Sequence, residues 1–164
     1  MRLKIPVGLV VFLLLSIFVL HNSVQAPTTF LAAEQGQSES LVVVTPDGEH
    51  IFWVETAVTL AQRQQGLMNR TRLLAKNEGM LFRFDAFERV SLWMKNTHFA
   101  LDILFVDKSG RIVTIVTEAA PLKLDTISSE VPVLAALEVR SGTVNALGLT
   151  VGDRILHRYF QRQE

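Results

Sequence analysis

The chain contains no cysteine. That excludes disulfides, thiolate nucleophiles, thiolate metal sites and lipid attached through sulfur, so an exported form must hold together by packing alone. It also lacks an excess of either charge, with 16 Lys and Arg against 16 Asp and Glu. A neutral chain is not built to track a phosphate backbone, and nucleic acid is not expected as a partner. The G-x-S-x-G elbow, the P-loop, H-E-x-x-H and the dinucleotide G-x-G-x-x-G are all missing. The four histidines, at positions 21, 50, 98 and 157, are isolated from one another in sequence. No metal site and no cofactor are expected from this inventory.

One long apolar run is present, at the N-terminus. Arg2 and Lys4 precede Ile5 to Leu20, a stretch broken by Pro6, Gly8 and Ser16. His21-Asn22-Ser23 restores polarity, and Val24-Gln25-Ala26 offers the small residues a signal peptidase accepts. Residues 1–26 therefore read as a signal peptide or an N-terminal membrane anchor. The run falls short of the ~20 residues that span a bilayer, which favours cleavage. Pro27, directly after the cut, opposes it. In both cases the following domain is expected outside the cytoplasm, because Arg2 and Lys4 stay inside. Membrane contact through residues 5–20 is expected if the segment is retained. Residues 27–40, rich in Thr, Ala, Gln, Glu and Ser, read as a flexible tether. Residues 41–162 then form a single domain with a modest core.

Within that domain, Leu41–Val44 and Ile51–Thr56 read as strands joined at Pro46-Asp47-Gly48. Thr59 and Gln62 have the spacing of a capping box, and Gly66 ends the short helix they open. A further turn is expected around Arg72 to Lys76. Strands follow at Met80–Phe84, Val90–Lys95 and Leu101–Val106, with a loop at Asp85–Glu88 between the first two. Asp107 to Gly110 is a hairpin turn into the β-branched run Arg111–Thr117. Pro121 to Ala136 reads as a long irregular loop and Ala136–Arg140 as a strand. Ser141-Gly142 then opens a short helix closed by Gly148, and Arg154–Phe160 is a last strand. The expected fold is α+β and mostly β, a compact barrel-like antiparallel or mixed sheet of seven or eight strands with two short helices.

Polar chemistry concentrates in Trp93-Met94-Lys95-Asn96-Thr97 and the nearby Asp102. Lys95 and Asp102 end and begin adjacent strands, so they are expected to face each other, either as a ligand-binding pair or as a structural ion pair. Asn96 and Thr97 either bind ligand or bond the turn backbone. Arg63 and Arg70 flank Gly66-Leu67-Met68. Each can hold a carboxylate such as Glu55 or Asp102 bidentately, or an anionic ligand. Met68, Met80 and Met94 fill core gaps in the plainer reading and form a soft Cu(I) site in the sharper one.

These motifs resemble a known family. Arg63-x-x-Gly66-Leu67-Met68-x-Arg70, Glu78-Gly79-Met80-Leu81-Phe82, the W-M-K-N-T block, Leu101-Asp102-Ile103-Leu104-Phe105 and Gly110-Arg111-Ile112 are similar to the bacterial and archaeal domain of unknown function 192. Leu137-Glu138, Ser141-Gly142-Thr143 and Gly148-x-x-x-Gly152-Asp153 extend the resemblance. It implies a compact β-rich fold, often exported, and no particular reaction. Ala100 stands where the family usually has proline, and Asn69 where it often has an aromatic. The expected function is a non-catalytic, extracytoplasmic module binding a small polar or anionic envelope ligand. Its candidate site is Trp93, Lys95, Asn96, Thr97, Asp102, Arg63 and Arg70. One alternative is an envelope hydrolase or transferase with Asp102 as base and Lys95 as stabiliser. Another is a scaffold for a membrane complex.

Overall fold

The computed structural model describes residues 38–162. The expected signal or anchor, and nearly all of the expected tether, lie outside the described residues. Nine strands and two short helices follow in order. They are β1 (Glu39–Thr45), β2 (Gly48–Ala57), α1 (Leu60–Gln65), β3 (Glu78–Glu88), β4 (Ser91–Leu92), β5 (Leu101–Val106), β6 (Ile112–Ala119), β7 (Ile127–Ser128), β8 (Val133–Arg140), α2 (Thr143–Leu147) and β9 (Arg154–Leu156). A 3-10 turn, Phe160–Arg162, closes the described chain. Seven strands form one curled, half-barrel sheet in the order β6-β5-β8-β3-β2-β1-β9, and β4 pairs with β7 in a separate ribbon. The fold is thus mostly β with two short helices, as the sequence pattern implied. Among the described residues no helix is long and apolar enough to cross a membrane.

Among the described strands only β2 and β3 run parallel. Parallel neighbours cannot be joined by a tight turn, and the intervening segment carries α1. Its capping box is intact, with the Thr59 hydroxyl accepting from Gln62 N and the Gln62 side chain accepting from Thr59 N. The two edges of the large sheet meet at one end. Arg111 bridges Arg154, Ile112 N donates to Asp153 O at 2.9 Å, and Ile155 N donates to Gly110 O at 2.7 Å. Gly110 has a positive φ of 79°, and a Cβ there would lie 2.5 Å from Ile155 O, so this seam requires glycine.

Side chains alternate between two cores. Leu104, Val106, Leu137, Val139, Leu81 and Val54 pack on one face. Ile103, Phe105, Ala136, Met80, Phe82 and Met94 pack on the other. That is why every residue of β5 is buried, where a one-sided sheet would show alternation.

The structure departs from the sequence reading in four segments and shifts one turn. β3 continues through the expected loop at Asp85–Glu88, because a register shift between Arg83 and Glu88 bends the strand without ending it. The expected turn near Arg72 to Lys76 forms slightly later, where Glu78 N donates to Ala75 O at 3.1 Å, and the Glu78 carboxylate ties Arg72 and Ala75 N. The expected strand Val90–Lys95 shrinks to Ser91–Leu92. Beyond it Met94 N donates to Lys123 O and Leu122 N to Thr97 O, outside any ladder. The expected loop at 121–136 contains β7 and the first residues of β8. The last strand stops at Leu156.

Candidate functional site

Glu138 sits near the middle of β8, opposite Met80 of β3 and Ile103 of β5. Both neighbours belong to the second core, so the sheet presses this carboxyl into apolar surroundings. It is only 4 % exposed, and it makes no side-chain hydrogen bond or ion pair among the described residues. Burial alone pushes its pKa up to about 8, so near neutral pH it holds its proton.

Above Glu138 lies a cavity of ≈ 190 Å³, walled by Leu67, Met68, Phe82, Phe84 and Leu92, with Trp93 and Thr97 along one side. Two segments build it. One is the exit from α1, where Gly66 has φ 43° and a Cβ would approach Phe82 Cζ to 3.1 Å. The other is the Trp93–Thr97 block. Asn69 and Asn96 both adopt positive φ, which asparagine tolerates, and Asn69 N donates to Asn96 O at 2.8 Å. That bond holds the two segments side by side across the cavity. Within the block Met94 is buried in the second core, whereas Trp93 is 50 % exposed.

The structure brings three of the seven candidate residues to this cavity: Trp93, Thr97 and Arg63. Arg63 is already engaged. Its guanidinium donates to Val58 O, to Arg83 O at 2.8 Å and to the Asp85 carboxylate at 2.9 Å. Lys95 is exposed, with Nζ 5.5 Å from the Trp93 ring centroid. Asn96 serves the turn. Arg70 grips Glu55 bidentately at 2.5 and 2.6 Å, in a neighbouring hollow shared with Trp53.

Asp102 corrects the expected Lys95–Asp102 pairing, for no ion pair joins them among the described residues. Asp102 is fully buried, and its carboxylate accepts from Glu118 N and Val144 N, each at 2.9 Å. Val144 lies in the first turn of α2, whose N-cap, Gly142, has no side chain to offer. Asp102 therefore caps α2 from across the fold. The parity of β5 turns Asp102 to the same face as Leu104 and Val106, whereas Glu138 shares the opposite face with Ala136.

Sequence reasoning noted Glu138 only as part of a family motif. The available signal was a lone carboxylate in the apolar stretch Val133-Leu134-Ala135-Ala136-Leu137-Glu138-Val139.

Residues 42–157 match the model of the DUF192 family, described as Uncharacterized ACR. Two solved structures are similar. One, from Sinorhizobium meliloti 1021, is described as a candidate transcription regulator; it is 42% identical, with a TM-score of 0.70, over 73% of this chain and 92% of that one. The other, a protein of unknown function from Novosphingobium aromaticivorans DSM 12444, is 33% identical, with a TM-score of 0.73, over 77% of this chain and 89% of that one. No curated protein matches the chain. A family model that takes in both core faces, the W-M-K-N-T block and Glu138, together with two solved relatives of the same fold, shows that the chain belongs to the DUF192 family.

Proposed function

We propose that this domain is a non-catalytic module that binds a small ligand in the cavity above Glu138, and that it works outside the cytoplasm. The observation that carries the binding reading is Glu138 itself. A buried carboxyl without a partner is destabilising, and such groups in native folds need a reason. A ligand that meets the carboxyl at the floor and the Trp93 ring at the side supplies one. The extracytoplasmic reading rests on Arg2, Lys4 and the run Ile5 to Leu20; membrane fractionation of the native host tests it, and a cytosolic pool alone overturns it.

The hydrolase alternative needs Asp102 as a base. Both of its oxygens already accept backbone N–H groups, and it does not line the cavity. An anionic ligand needs free cations, and Arg63 and Arg70 hold Asp85 and Glu55. The Sinorhizobium relative's description names a regulator, and the balanced charge of this chain lends no electrostatic support to a nucleic-acid partner.

A fragment screen read by Trp93 fluorescence and melting temperature tests the binding reading. Hits whose melting-temperature shift is lost in a folded Trp93→Ala or Glu138→Gln variant support it. A screen without hits, or hits indifferent to both substitutions, removes it.

A further inference from the structure

Building on the cavity reading above, we infer that the occupant is a small organic cation, a primary or methylated ammonium on a short apolar body, whose charge meets the Glu138 carboxylate. Three features of the cavity point this way. Its floor is an acid that no cation of the described residues pairs with. Among the described residues, the charged side chains along the cavity are Glu138 and Arg63, and Arg63 is held by Val58 O, Arg83 O and Asp85. The residues facing Glu138 from the adjacent strands, Met80 and Ile103, are uncharged.

The walls favour the same chemistry. Phe82, Phe84 and Trp93 present aromatic rings, and ring faces attract ammonium groups through their quadrupoles. Two of these rings already carry protein cations, Lys95 over Trp93 and Arg63 Cζ 6.0 Å from the Phe84 centroid. Size limits the rest of the molecule. A cavity of ≈ 190 Å³ lies below the range of about 300–1,000 Å³ that holds drug-sized ligands, so the body is a handful of heavy atoms.

An anion would bring its charge beside a desolvated acid. A neutral guest would leave the carboxyl protonated. Only a cation stabilises the ionised form enough to offset its burial. The exchange balances in charge: the ammonium enters already protonated, the Glu138 proton leaves to the buffer, and a neutral ion pair remains.

The test uses the full chain with Trp53→Phe, which leaves Trp93 as the sole tryptophan, and three probes of one length: n-butylammonium, 1-butanol and butyrate. The expected result is that butylammonium binds about tenfold or more tighter than either other probe, with close to one proton released per ligand near neutral pH. Proton release is read from calorimetry in two buffers of different ionisation enthalpy. Glu138→Gln, which keeps the shape and removes the charge, abolishes the preference and the proton release but leaves butanol binding in place. Equal binding of butylammonium and butanol, or tighter binding of butyrate, overturns the cation inference while the cavity remains a binding site. Failure of all three probes to perturb Trp93 overturns both.

Discussion

Between Met80 and Ile103, Glu138 can ionise only by placing a charge where nothing answers it, and this has a measurable consequence without any ligand. The unfolded chain releases that proton near the ordinary carboxyl value of 4.5, the folded chain at about 8. Between those values the folded state holds the extra proton, so the stabilisation is complete below 4.5 and is lost as pH rises to about 8. The full loss is about 5 kcal/mol, at roughly 1.4 kcal/mol per pKa unit. Urea unfolding across this range is expected to show the decline, and Glu138→Gln to flatten it. Asp102 behaves differently, since its two oxygens each answer a backbone N–H. Asp102→Asn turns an amide NH2 against one of those donors and is expected to destabilise by about 2–3 kcal/mol in the same assay. Lys95→Ala, with an exposed head, should stay within about 0.5 kcal/mol. A Lys95 effect as large as that of Asp102 would restore the discarded pairing.

At the level of strands and helices, what could be read from the sequence is what neighbours in sequence decide. The capping box of α1 lies within four consecutive residues, and the hairpin at Asp107 is closed by its own carboxylate on Ser109 N and Arg111 N. Both were legible, as were the β1–β2 pairing and the limits of β5. The cap of α2 was not, because Asp102 lies 42 residues from Val144. Nor was the β4–β7 ribbon, two residues long on each side, whose pairing only tertiary packing can specify. The cavity was half legible for the same reason. The W-M-K-N-T block announced one wall, while its floor on β8 and the opposing α1 exit depend on strand order. The seam between β6 and β9 gives an element-scale test. Gly110→Ala sets a methyl against Ile155 O and a positive φ against a Cβ, and is expected to destabilise by about 2–4 kcal/mol. Gly142→Ala, which also has positive φ but meets nothing within 4 Å, should lose only the conformational part, about 1 kcal/mol.

For the molecule as a whole, two buried groups set opposing pH slopes. His157, after β9, is buried and reaches Glu39 of β1 through Nε2 at 2.9 Å, while Arg158 also holds that carboxylate. Burial lowers the His157 pKa against the pull of Glu39. The folded state therefore favours neutral imidazole, and stability falls as pH drops below 6.5, where the unfolded chain protonates first. Just below 6.5 the His157 gain with rising pH opposes the Glu138 loss, and the decline is expected to be less steep there. Above 6.5 only the Glu138 slope remains. Denaturation of His157→Gln should show a steeper decline just below pH 6.5 than in the wild type; an unchanged profile would mean that His157 does not contribute. The sheet itself resembles a strip of cloth whose two selvedges are tacked together at one corner. A foreign strand seeking to lengthen the weave there must first unpick the stitches at Gly110, Ile112 and Ile155, so any loosening of that corner lays bare two rims for intermolecular growth at once.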